Sequence, residues 1–289
     1  AGASSVSLGG EVGGLGASAT DRAATDPTFQ LGDNLTYQRG RHTFKAGFQW
    51  LRYRQNNYYA GNNGILGRFD YNTFFSNVGF GDFAMNLLRS KGRGSLAGKW
   101  GQRHTRAGIF FQDDIKATAN LTLNLGLRWE YTQPLYEVAD RQSSIDVLTG
   151  RQLFAGQDGN SRALFDPYYK GYEPRLGFAW TPSWFRNKLV VRSGYAITSF
   201  MEGTGANLRL PLNPPHFFES DITYDTPGDI RTGFTDVRPQ TQLSGQPRAW
   251  DPNLQPAFIQ QWNFTLEYQF SSTLSLTTAY VGQRGRHLV

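Results

Sequence analysis

The 289-residue sequence contains no cysteine, which excludes a disulfide scaffold and any thiolate metal site. It also lacks any run near the roughly 18 consecutive apolar residues that a membrane-spanning helix requires. A mean hydropathy of −0.49 would by itself describe a water-soluble chain. That measure does not see membrane barrels, whose strands alternate apolar and polar residues and average out as polar. Histidine is scarce, with four residues in all. His42, His104, His216 and His287 stand far apart, without the close spacing of a helical metal pair. No serine occupies a GxSxG elbow and no convincing Asp/His pair is evident. Neither an enzyme, a metal nor a cofactor is expected. The net charge is +6, but like charges never run to five in a row. Dispersed arginines argue against nucleic acid as partner and favour anionic lipid headgroups.

Aromatic residues and glycine are plentiful. Phe, Tyr and Trp make up 15% of the chain and glycine numbers 33. This suits many strands joined by turns, with aromatic girdles at a membrane interface, and equally a secreted β-sandwich or propeller.

Alternation separates these readings. In one run Leu121, Leu123, Leu125, Leu127, Trp129 and Tyr131 share a face, opposite Thr122, Asn124, Gly126, Arg128 and Glu130. In another, Trp262, Phe264, Leu266, Tyr268 and Phe270 oppose Asn263, Thr265, Glu267 and Gln269. Such sets separate completely on a strand and scatter on a helix. Six further runs fit less cleanly. The one at 104–115 is ambiguous in its facing, because Phe110 and Phe111 are adjacent. The runs pair into hairpins near 29–55, 102–132, 172–199 and 257–289. Long links separate the hairpins, at 56–101, 133–171 and 200–256. Short periplasmic turns alternating with long extracellular loops are the signature of an outer-membrane barrel. Runs of about ten residues match a tilted strand crossing the bilayer. The expected fold is therefore all-β, an antiparallel transmembrane β-barrel wall of about 8–10 strands. Residues 1–28 read as a Gly/Ala/Ser-rich strand remnant and loop, and 29–289 as the partial barrel. The chain starts without Met and shows no leader pattern, so it reads as an internal or processed piece.

The candidate site residues follow from parity. Lys45, Gln49, Arg128, Glu130, Arg175, Arg192, Asn263 and Glu267 fall on polar faces and are expected to line the lumen. There they would meet water, a plug or a substrate, or else form a structural Arg–carboxylate ladder. Trp50, Trp129, Tyr131, Trp180, Trp262 and Tyr268 are expected as membrane-interface anchors. Gly92-Arg93-Gly94 lacks the Lys-Ser/Thr ending of a phosphate loop and reads as a flexible basic loop. With Arg89, Arg103 and Arg106 it is a candidate contact for lipopolysaccharide phosphates. The segment 80–89 is expected to form a short loop helix. The aspartates in 221–236 suggest Ca²⁺, but their spacing matches no EF-type loop.

Several motifs carry a family resemblance. Gly40-Arg41-His42-Thr43-Phe44-Lys45-Ala46-Gly47 resembles a hairpin of TonB-dependent receptors of the Oar-like type, common in acidobacteria. Phe111-Gln112-Asp113-Asp114 followed by the 120–130 run is similar to a second hairpin of that group. Pro174–Trp180, Val190–Tyr195 and Ala279–Leu288 resemble further pieces, so that the likeness spans most of the chain from Phe29. It implies a larger, 22-stranded type of barrel with a plugged lumen, opened by the periplasmic TonB–ExbB–ExbD system. It implies a receptor that binds and imports a substrate at the cell surface. The partners it implies are outer-membrane lipid, a plug and the remaining barrel strands, none of which this sequence supplies. The alternative is a structural or interaction component of a surface assembly built on a barrel fragment.

Overall fold

The computed structural model describes residues 3–9, 13–16, 22–59, 61–96, 98–201, 209–237 and 247–288. Eight long strands form its wall: β1 (Thr28–Arg39), β2 (His42–Tyr59), β3 (Trp100–Thr118), β4 (Leu121–Thr132), β5 (Tyr172–Trp180), β6 (Leu189–Phe200), β7 (Ala257–Gln269) and β8 (Ser275–Arg286). Each pairs antiparallel with the next, giving an uninterrupted meander. At one end the connections are tight. Arg39 pairs with His42 across Gly40-Arg41, and Gly40 at φ 60° supplies the left-handed backbone such a turn needs. Among the described residues no ladder joins β1 to β8, so both are edges of the sheet.

The wall is built inside out. Leu31, Leu35, Ile109, Phe111, Leu127, Leu176, Phe264 and Tyr280 all lie on one face and are exposed, Leu35 at 69% and Tyr280 at 62%. In water such a surface would far exceed the apolar patch a soluble monomer carries. Facing lipid it is the expected exterior of a barrel. The ambiguity at Phe110-Phe111 resolves through the register. Phe111 pairs with Ala46 and Leu127 on the apolar face, while Phe110 pairs with Gly47 and Arg128 on the polar face. A Cβ on Gly47 would stand 2.7 Å from the Phe110 ring, so the ring lies over the space that this glycine leaves.

The buried apolar clusters lie at the other end of the strands. β2 and β3 run for 18 and 19 residues, about twice what crosses a bilayer. The long links there are more than loops. They contribute a four-stranded sheet in the order Ser5–Ser7, Arg68–Asp70, Leu88–Leu96, Phe217–Gly228. Leu8, Phe69, Tyr71 and Leu88 pack on it. Trp100, Leu212 and Phe217 form a second cluster, and Leu135, Phe165, Leu210 and Trp250 belong to a third. We call this assembly the cap.

Two expectations change here. Gly92-Arg93-Gly94 is not a flexible loop: it is the interior of a cap strand, paired with Ser220 and its neighbours. The Cβ that Gly92 lacks would collide with the Asn63 side chain, so glycine lets the two segments close up. The 80–89 helix is shorter than expected, at Gly79–Ala84. Asn86 takes a positive φ of 54°, and the fully buried Leu88 pulls the chain into the sheet. The strand near the N-terminus, Ser5–Ser7, joins the cap in parallel with Arg68–Asp70.

Candidate functional site

The register puts Lys45, Gln49, Arg128, Glu130, Arg175, Arg192, Asn263 and Glu267 all on the polar face. They divide into groups. Toward the cap, Glu130 accepts hydrogen bonds from Arg106 and from Arg128, the latter at 3.0 and 2.8 Å. Arg128 also donates to Gln49 at 3.3 Å and lies 3.9 Å from the buried Glu173, which accepts from Ser199. Nearer the turns, Lys45 meets Asp114 at 2.7 Å, and Gln112 and Asn124 donate to the same carboxylate. Arg192 and Glu267 face each other at 3.8 Å, both well exposed. These three groups are charge ladders running along the wall.

Arg175 differs. It is exposed and has no hydrogen-bond or ion-pair partner among the described residues. It stands at the edge of a groove of about 440 Å³. Gln112, Asn124, Gln261, Asn263 and Gln283 supply amides around a floor at Gly177, Gly194 and Ala196. The small floor residues keep the groove open. Its chemistry is one guanidinium, which can only donate, among amides that both donate and accept.

The six aromatics lie on the opposite, apolar face. Trp50, Trp129 and Tyr131 sit toward the cap, and Trp180 and Tyr268 beside the short turns, so they form two levels. Trp262 stands midway along β7, and a Cβ on its cross-strand neighbour Gly282 would meet the indole at 2.5 Å.

The four arginines expected to meet lipopolysaccharide do not form one group. Arg106 points to the polar face, where Glu130 holds it. Arg89 stacks on Phe74, 3.8 Å from the ring centroid, and pairs with Asp225 within the cap. Arg93 donates to the Ile65 carbonyl at 2.8 Å. Arg103 alone shares the parity of the lipid-facing residues, opposite Arg54. Sequence parity could have found Arg52 and Arg54, which continue the Phe48–Trp50 face upward.

The acidic stretch of the cap is occupied by cations of the chain itself. Asp225 pairs with Arg89, Asp229 with Arg231 and Asp236 with Lys91. No group of three or more metal-binding side chains exists among the described residues. The Lys91 side chain is fully buried and meets Asp236 at 2.7 Å. The hydrogen bond from Lys91, then that from Tyr224, holds the Asp236 carboxyl below the usual carboxylate range. Burial, then Asp236, pushes the Tyr224 phenol up. A second cavity, of about 740 Å³, opens beside Lys91, between Arg68, Asn213, Glu219 and Arg248.

The family model for the outer membrane beta barrel domain matches residues 1–289. The chain belongs to that family. Its home is the bacterial outer membrane, and the exposed apolar face is the lipid face of this outer-membrane barrel wall. The short turns then mark its periplasmic end and the cap its extracellular end. No curated protein and no solved structure matches the chain. An outer-membrane barrel domain of this kind points to a transport or structural role rather than to covalent catalysis.

Proposed function

We propose that this outer-membrane barrel wall is part of a TonB-dependent receptor that takes up a substrate from the cell surface. The observation that carries the reading is the groove around Arg175. A purely structural wall would satisfy its charges within the sheet, as Glu130 and Asp114 do for their neighbours. Here the exposed guanidinium and the amides of Gln261, Asn263 and Gln283 are left for something outside the wall, while Gln112 and Asn124 hold Asp114. A plug or a polar substrate in the lumen would complete them. The motif resemblance supports the same reading, as does a cap with its own polar cavity above the strands. Import would draw its work from the TonB–ExbB–ExbD system, and β1 and β8 would pair with further strands of the same barrel.

The test uses the complete protein, extracted in detergent from outer membranes. Retention of the periplasmic domain of TonB by the detergent-purified protein is expected. A lack of retention at concentrations of tens of micromolar overturns TonB-driven import. Cysteines at Tyr37 and Tyr280, on the two edge strands, address the architecture. With further strands of the same barrel between β1 and β8, the two positions stand too far apart to cross-link, and no Tyr37–Tyr280 cross-link is expected. Cross-links only between chains would favour a surface assembly built from barrel pieces.

A further inference from the structure

The lipid face carries a charged patch that the transport reading does not use. Arg52 and Arg54 follow Trp50 on the same side of β2. Arg54 stands directly opposite Arg103 of β3, and Arg52 opposite Thr105. Like charges facing each other across a ladder are destabilising unless something neutralises them.

Two of these side chains are held in place by neutral groups. Arg52 donates to Thr105 Oγ1 at 2.8 Å, Gln133 Oε1 at 3.2 Å and the Tyr136 hydroxyl at 2.8 Å. Arg103 donates to the Gln55 and Gln102 carbonyls and to Asn56 Oδ1. The third, Arg54, is exposed and lies 4.9 Å over the Phe29 ring. None of the three pairs with a carboxylate among the described residues. The nearby carboxylates are engaged elsewhere. Glu137 accepts from the Gly101, Ala139 and Arg141 backbone amides. Asp140 pairs with Arg162, and Asp26 accepts from Gln55.

The height of the patch matters as much as its charge. Trp50 and Phe29 mark the upper aromatic level. Arg54 lies four residues beyond Trp50, on the order of 10 Å along a tilted strand. That is the headgroup layer of the outer leaflet.

We propose that Arg52, Arg54 and Arg103 form a binding site for the phosphate groups of the outer leaflet's phosphorylated glycolipid. Two hydrogen-bonded guanidiniums and an exposed third match the oxygens of a phosphate, which arginine binds through paired, charge-assisted hydrogen bonds. Tyr136 and Gln133 border the patch and offer partners for sugar hydroxyls. The site rests on the outer-membrane placement alone and holds whether or not the barrel imports a substrate.

The test is a lipid titration of the complete protein in detergent, followed by native mass spectrometry. The probes are bisphosphorylated lipid A, dephosphorylated lipid A, phosphatidylglycerol and inorganic phosphate. Bisphosphorylated lipid A is expected to bind most tightly. The R54Q/R103Q variant should bind it at least tenfold more weakly, R54K/R103K should keep part of the affinity, and R93Q in the cap should bind as the parent does. Heat-modifiable migration on gels checks that each variant is folded, and the single R54Q variant serves if the double one is not. Unchanged binding by the folded Gln variants overturns the site. Equal binding of dephosphorylated lipid A or of phosphatidylglycerol overturns the glycolipid phosphate as its ligand. Inorganic phosphate binding as tightly as the lipid overturns a lipid site.

Discussion

Arg128 lies flat across Gly108 on the polar face of the wall. A Cβ at Gly108 would stand 2.7 Å from the guanidinium carbon, so the absent side chain is what lets Arg128 reach Glu130. G108A should push the guanidinium aside and weaken a charged hydrogen bond, at a cost of about 1–3 kcal/mol. The measurement is the midpoint temperature of gel-shift unfolding of the detergent-purified protein. A fall is expected, and an unchanged midpoint would show that Arg128 regains Glu130 by another path.

Leu127 occupies the middle of β4, half exposed toward lipid. L127R should lower the stability of the protein folded in liposomes by about 2–4 kcal/mol, the cost of a cation near the bilayer midplane. Gln283, on the polar face of β8, is the control. Q283R should change the denaturant midpoint little, because that face meets water.

Trp262 and Gly282 form a matched pair across β7 and β8. G282A forces the indole off its seat, an overpacking cost of about 1–3 kcal/mol. W262A alone should also destabilise by loss of contact. The double variant should lose less than the sum, because once the ring is gone the added methyl has space. Additive losses would mean that the two residues act independently.

The cap should respond to acid. The Asp236 carboxyl is held below its ordinary value by the Lys91 ammonium, then by Tyr224. A depressed carboxylate contributes stability above its unfolded value, near 4, and loses it as the pH falls through the folded value. Hydrogen exchange in Phe217–Gly228, corrected for intrinsic rates, should therefore accelerate below about pH 4. D236A should mimic this at neutral pH, by about 3 kcal/mol, because it strands a buried ammonium. K91M, which removes the charge and keeps the volume, should cost far less.

The wall was legible in the sequence because its physics is local. A strand with lipid on one side and water on the other must alternate, and 121–131 and 261–270 do so without a break. The side chains on each face followed from counting by twos. Phe110 and Phe111 defeated that count, since either could be the lipid-facing one. Only the neighbouring strands, with Gly47 leaving space for Phe110, decide it. The cap was not legible for a different reason. Its strands pair across large sequence separations and show no long alternation. Arg93 looked like part of a basic loop because its partner segment, around Ser220, lies more than a hundred residues away. Of the arginine patch only Arg103 is legible in the sequence, because Arg52 and Arg54 meet it only once β2 and β3 pair.

The interleaving of cap and wall also sets an order of assembly. The cap's four strands come from near residue 5, from 68–96 and from 217–228, with six wall strands threaded between the first and the last. Two of its apolar clusters, the one with Trp100 and the one with Leu135, are completed only by residues that follow β6: Leu212 and Phe217 in the first, Leu210 and Trp250 in the second. The β2–β3 extensions must therefore wait, uncovered on the far side, for a segment made more than a hundred residues later. The cap acts as a latch that closes once most of the wall is in place.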